Sequence, residues 1–169
     1  MRKIIFILAV VISLSGCYTF KGASIPPEMK TINISLFENR APLVIPTLSN
    51  NFTEALKTII RNQSKLTITQ QQEVDASFTG EIIDYNIKPI AIQDNTRPVA
   101  GANRLTITVK VKYINNIKDH EKEGFDESFT AFTDFTLGGQ SLQAIQESLI
   151  KKVNDQLTEN IFNRAFSQW

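Results

Sequence analysis

The chain has 169 residues, 42% of them hydrophobic, and 18 basic against 17 acidic side chains for a net charge of +1. That length supports one ordinary domain with a real core, and the near-neutral balance, without a basic block, leaves no electrostatic footprint for nucleic acid. A single cysteine, Cys17, excludes an internal disulfide framework and a thiolate zinc site.

Met1-Arg2-Lys3 opens the chain with positive charge, and Ile4 to Leu14 is an apolar run. The run is too short for a stable transmembrane helix and has the layout of a secretory signal. Leu14-Ser15-Gly16-Cys17 follows, small residues ending on the one needed for a thioether to diacylglycerol. The segment resembles the lipobox of a bacterial lipoprotein precursor, cut between Gly16 and Cys17. A signal peptide over 1–16 and lipidation at Cys17 are expected, with 16 basic and 17 acidic side chains left on the mature chain. One acyl chain holds a membrane weakly, at about 0.8 kcal/mol per buried methylene; two or three hold it firmly. In lipoproteins of this kind, aspartate after the cysteine often means retention at the inner membrane. Tyr18 stands there, and no acidic cluster follows. The expected location is therefore the periplasmic leaflet of the outer membrane.

Residues 17–29 form a tether, with Gly22, Pro26 and Pro27 opposing regular structure; the domain is expected over 30–169. Ile32, Ile34 and Leu36 alternate with polar residues and predict a half-buried strand, ended by a polar turn over Glu38 to Pro42. Leu48, Phe52, Ala55, Leu56, Ile59 and Ile60 recur at helical spacing. Pro46 suits the first turn, with Thr47 or Ser49 as cap. Leu66 to Thr69 is a brief extended segment. Val74, Ala76, Phe78 and Ile82 share one face of the next strand; after Ile82-Ile83 the phase flips to Tyr85 and Ile87, which predicts a bulge. Ile90 to Asn103 is a long loop. Leu105, Ile107, Val109, Val111 and Tyr113 then alternate with Thr106, Thr108, Lys110 and Lys112. A charged hairpin from Lys118 to Gly124 leads to a return strand through Phe125, Phe129, Ala131 and Phe135. Gly138-Gly139 breaks the sheet. Ser141 caps a last helix with a stripe of Leu142, Ile145, Leu149, Val153, Leu157, Ile161 and Ala165.

Clean alternation means one buried and one wet sheet face. The fold class is α+β, a two-layer sandwich in which two helices pack on one face of a four-stranded mixed sheet.

Catalytic chemistry is sparse. His120, the one histidine, sits in the charged hairpin without placed partners. Glu121, Glu123, Asp126 and Glu127 are solubilising carboxylates there, and Gly138-Gly139 lacks the lysine and spacing of a phosphate loop. No enzyme activity, metal or cofactor is expected.

Several stretches together resemble the LptE lipoproteins of lipopolysaccharide assembly. They are Cys17-Tyr18-Thr19-Phe20 leading into Ile25 to Ile32, Phe37 to Pro42 followed by Pro46-Thr47-Leu48, and Gly80-Glu81-Ile82. Asn103 to Ile107 with its alternating tail and the closing Asn160 to Arg164 complete the set. The resemblance spans the mature chain. It departs at Tyr18, where such proteins often have glycine. It implies a non-enzymatic plug inside a large LptD-type outer-membrane β-barrel, one that helps the barrel assemble and contacts lipopolysaccharide on its way to the outer leaflet.

Lipopolysaccharide phosphates call for Lys and Arg. The candidates are Arg40, Lys88, Arg97, Arg104, Lys110 and Lys112, with Lys110 and Lys112 favoured because they share one strand face about 7 Å apart. The alternatives are a lipid-anchored periplasmic scaffold and a small-ligand module, which would need a deep apolar cavity.

Overall fold

The computed structural model describes residues 25–43, 45–90 and 102–167. Gly16, Cys17, Arg97 and the leader lie outside them. The elements are β1 (Thr31–Ile34), β2 (Glu38–Asn39), α1 (Leu48–Gln63), β3 (Thr67–Ile68), β4 (Ala76–Pro89), β5 (Ala102–Asn115), β6 (Phe125–Thr136) and α2 (Leu142–Phe166).

The two-layer α+β class holds, but the sheet is wider than four strands. Its order is β3-β1-β4-β5-β6, and β2 also pairs with β4. β1 is parallel to β3 and β4, whereas β4-β5-β6 is an antiparallel meander. The segment at Leu66 to Thr69 becomes edge strand β3, pairing Thr31 with Thr67 and Ile32 with Ile68.

The first strand also ends sooner than its alternation predicts. Leu36 is 57% exposed, and Phe37 goes fully into the core in its place. Gly80 makes room for it. A Cβ there would stand 2.6 Å from the Phe37 ring and 2.1 Å from the Lys110 carbonyl oxygen. Phe37 donates its N–H to Thr53 Oγ1 at 3.1 Å, and its ring meets Phe52 edge-on at 5.0 Å. Seated this way, the chain turns Glu38–Asn39 into β2 against Glu81 and Ile82 rather than a free turn.

The bulge falls where the phase flips, between Ile82 and Asp84. It carries Ile82 and Tyr85 to the same buried side and leaves Ile83 exposed. In β5, Leu105, Ile107, Val109, Val111 and Tyr113 are all buried. Each such aliphatic side chain is worth roughly 1.5–3 kcal/mol when removed from water.

Helix α1 buries Leu48, Phe52, Leu56 and Ile60, but Thr47 makes no side-chain cap. In α2, Ser141 Oγ accepts from the Ala144 N–H at 3.3 Å, as the capping pattern predicts. Its buried stripe starts later and is broader than predicted, adding Ile150, Phe162 and Phe166, while Leu142, Ile145 and Leu149 are half-buried. Phe166 meets Phe78 and Tyr113 edge-on, closing the core beneath both strands.

The start of the domain is pinned by one carboxylate. Asp75 Oδ2 accepts from the Lys30 N–H at 2.7 Å, the Thr31 N–H at 2.8 Å and the Thr31 hydroxyl at 2.9 Å. These donors, the Lys30 N–H foremost, hold its carboxyl below the usual carboxylate range. Met29 is buried and Ile25 packs on the core, so the end of the predicted tether is part of the folded body.

Candidate functional site: the uncovered sheet face

Both helices lie on the side of β4–β6 that carries the core. The opposite side presents Ser77, Thr79 and Glu81 before the bulge, and Asp84, Asn86 and Lys88 after it. From β5 it takes Thr106, Thr108, Lys110 and Lys112, all outside the buried set. Antiparallel register sets these side by side: Thr79 opposite Lys112, Glu81 opposite Lys110, and Lys88 opposite Arg104. β6 adds Asp126, Ser128, Thr130, Phe132 and Asp134 across from Lys112, Lys110, Thr108, Thr106 and Arg104.

The candidate cations separate into two groups. Arg104 is neutralised and held, donating from Nε and Nη2 to Asp134 at 2.7 and 2.9 Å while its guanidinium lies 3.9 Å over the Phe132 ring. The pairing holds Asp134 below its ordinary pKa. Arg40 sits between Glu38 and Glu81, each at 3.0 Å. Lys110 faces Asp126 at 3.6 Å. Arg40, Glu81, Lys110 and Asp126 thus form a row of alternating charge across the strands. Lys88 and Lys112 are exposed and carry no ion pair among the described residues. The expected Lys110–Lys112 pair shares one face, but only Lys112 has an uncommitted charge. Lys88 and Lys112 lie about 26 Å apart along the strands, so they are two contact points rather than one phosphate pocket.

Sequence reasoning missed Phe132, which is 47% exposed. Its parity was the available signal, since it is an apolar residue in the wet phase of β6. Ile83 and Ile114 also break the polar surface at 37% exposure each. The face therefore offers hydroxyls, an amide, two free ammonium groups and a few isolated apolar side chains. Such a surface suits recognition of another polar surface.

The predicted hairpin has one ordered feature. His120 Nδ1 lies 2.6 Å from Glu123 Oε1, and Glu123 Oε2 accepts from the buried Asn115 amide at 3.0 Å. The Glu123 hydrogen bond raises the His120 pKa. Burial, with a smaller contribution from Glu123, pushes the Tyr113 phenol up.

Among the described residues no group of three or more His, Cys, Asp or Glu is placed to hold a metal. No described helix is long and apolar enough to cross a membrane. Two concavities among the described residues are open grooves, one of 870 Å³ between the helices and one of 380 Å³ beside Asn33 and Leu36. Neither is the enclosed apolar cavity that a small-ligand module would use.

Fold and surface thus define a two-layer α+β domain in which one face of the sheet is polar and is covered by no described helix. The family model described as LptE, lipopolysaccharide-assembly, matches residues 29–165, and the chain belongs to that family. Among solved structures, a hypothetical protein from Chlamydia trachomatis has a TM-score of 0.55 at 13% identity, covering 80% of this chain and 94% of that one. A protein from Xanthomonas campestris scores 0.52 at 9% identity, covering 86% and 90%. A minor lipoprotein from Acinetobacter baumannii scores 0.50 at 12% identity, covering 80% and 91%. These likenesses bear on the fold. No curated protein matches the chain.

Proposed function

We propose that this protein is a non-enzymatic lipoprotein, acylated at Cys17 and held at the periplasmic leaflet of the outer membrane. There it plugs and helps assemble an LptD-type β-barrel and contacts lipopolysaccharide in transit. The observation that carries this reading is the uncovered polar face of β4–β6, in a chain whose family serves lipopolysaccharide assembly. A wide barrel has an aqueous lumen unless something fills it. A domain with a satisfied core on one side and hydroxyls, amides and charges on the other is a suitable filler, because each side chain of the wet face can exchange water for a lumen partner at little cost.

The anchor also orients the domain. Residues 17–24 can span at most about 29 Å when fully extended. They lead to Ile25–Lys30, which lies at the Asp75 and Asn116 end of the sheet, where the Asn116 N–H donates to the Asp75 carbonyl at 2.8 Å. Strand β5 then runs about 43 Å to the opposite end. Lys112 therefore sits near the anchored end. Lys88 and Arg104, at the other end, then lie away from the leaflet, toward where cargo would move.

The test is copurification with the barrel in cells, read with lipopolysaccharide binding. Replacing Lys88 and Lys112 with Glu should leave a folded protein that retains barrel and lipopolysaccharide poorly. Cys17→Ser should release the chain from the membrane fraction. A membrane-bound serine variant, or full retention by the double Glu variant, contradicts the assignment.

A further inference from the structure

The sheet ends on two unlike edges. One is β3, two residues long, with Asn33 Nδ2 donating to the Thr69 carbonyl beside it at 3.0 Å. The other is β6, which runs twelve residues, about 40 Å, and pairs with β5 alone. Its register shows which backbone groups look outward. The Ile90 N–H donates to the Ala102 carbonyl, and the Asn116 N–H to the Asp75 carbonyl. The even-numbered positions of β5 therefore bond toward β4 and the odd-numbered ones toward β6. β6 meets those odd positions with its own, Phe129 opposite Val109 and Phe125 opposite Tyr113. The N–H and C=O groups of Asp126, Ser128, Thr130, Phe132, Asp134 and Thr136 thus point away from the sheet. All six residues are exposed, and no described residue takes up these groups.

An open edge of this length is a template for another strand, and folds usually guard one with proline, lysine, a bulge or bare charge. β6 contains no proline, glycine or lysine, and its pairing with β5 has no bulge. Its three acids are neutralised from within the chain. Asp126 faces Lys110 at 3.6 Å, Glu127 meets Arg164 at 2.7 Å, and Asp134 meets Arg104 at 2.7 Å. Apolar side chains remain along the edge. Phe132 is 47% exposed, and Leu137, just past the strand, 39%. Phe129 and Phe135 are only partly buried.

We infer that β6 is a docking strand for a second copy of this chain, which pairs with it antiparallel about a two-fold axis at Ala131. Outward positions must oppose outward positions. The register that engages all of them sets Asp126 opposite Thr136 of the second copy, Ser128 opposite Asp134, and Thr130 opposite Phe132. No acid then faces an acid. Sliding the copies by two residues one way brings Asp126 opposite Asp134, where like charges repel. Sliding them the other way leaves Asp126 beyond the end of the opposing strand. The full register also sets Leu137 opposite Phe125 and Phe129 opposite Thr133. It places the two Phe132 rings diagonally across the axis, within aromatic reach. A two-fold pair closes on itself. It leaves the wet face of β4 and β5 open, so the inference does not rest on the barrel reading.

The experiment uses the full chain in detergent, its mass followed against concentration by sedimentation velocity with the detergent density-matched. A monomer–dimer equilibrium is expected. Thr130→Pro removes an outward N–H without breaking a bond to β5 and should raise the dissociation constant at least tenfold. Ser128→Asp sets an acid opposite Asp134 of the second copy while it faces Lys110 in its own chain. It should weaken pairing at least tenfold at an unchanged melting temperature. Thr136→Lys faces Ala102 in its own chain and Asp126 of the second copy, and should tighten pairing severalfold. An unaltered chain that stays monomeric up to about 100 μM overturns the inference. So does a dissociation constant within twofold of the unaltered value for Ser128→Asp, whatever Thr130→Pro does, or weaker pairing by Thr136→Lys. Barrel copurification enters none of these readouts, so each reading can fail without the other.

Discussion

The two faces of β5 are made from the same strand yet live under different physics. Leu105, Ile107, Val109, Val111 and Tyr113 are packed without solvent, whereas Lys110 and Lys112 between them stand in water. On the packed face, volume and shape decide stability. On the wet face, exposed charges contribute little to folding and are free to serve recognition. Substitutions should therefore separate cleanly: one face governs whether the protein folds, the other what it binds.

The strongest challenge to that division is Gly80→Val. A side chain there meets the Lys110 carbonyl oxygen and the Phe37 ring, so about 3 kcal/mol or more of stability should be lost, measured by urea unfolding. A shift under 1 kcal/mol would mean that Phe37 can seat elsewhere. Ile107→Ala, in the centre of the packed face, should cost roughly 2–4 kcal/mol through lost transfer energy and the cavity left behind. A loss of similar size at Thr106, its wet neighbour, would break the comparison.

Asp75→Asn tests the clamp that ties β1 to β4. Hydrogen bonds to a charged group are worth more than neutral ones, and about 1–3 kcal/mol should go. The folded-state pKa of Asp75 is depressed, so its contribution is complete above the unfolded value of about 3.9. It disappears as pH falls through the lower folded value. The variant should flatten that acid limb of the stability profile. His120 runs the opposite way. Its raised pKa makes its contribution complete below the unfolded value of about 6.5, lost as pH rises through the folded one. Glu123→Gln should return the His120 titration, followed by proton NMR, toward that ordinary value. The smallest effect belongs to Lys112→Glu, whose melting temperature should match the unaltered chain within about 1 °C; a large drop would place Lys112 in the packing.

Long alternations were legible in the residues. β5, the phase flip near Ile83 and the Ser141 cap follow from patterns extending over several residues. β2 and β3 are two residues each, too short for any period to register. They exist because β1 and β4 offer free backbone partners. Leu36 and Phe37 exchanged roles because of Gly80, more than forty positions away, a tertiary effect that local alternation does not encode. In α2, a stripe spaced mainly by four residues drifts from the true 3.6-residue period, so Ile150, Phe162 and Phe166 fell outside it. The candidate site was legible as a set of cations, but not which of them are free. Asp126 and Asp134 come from another strand and commit Lys110 and Arg104, leaving Lys88 and Lys112.

One measurement bears most directly on the proposed role: a photo-reactive residue at position 112, irradiated in intact cells. The account predicts a covalent adduct with one large outer-membrane β-barrel, present at near-equal stoichiometry, and no such adduct from a probe at the buried position 109. A folded, membrane-anchored protein giving no barrel adduct at 112 would contradict it.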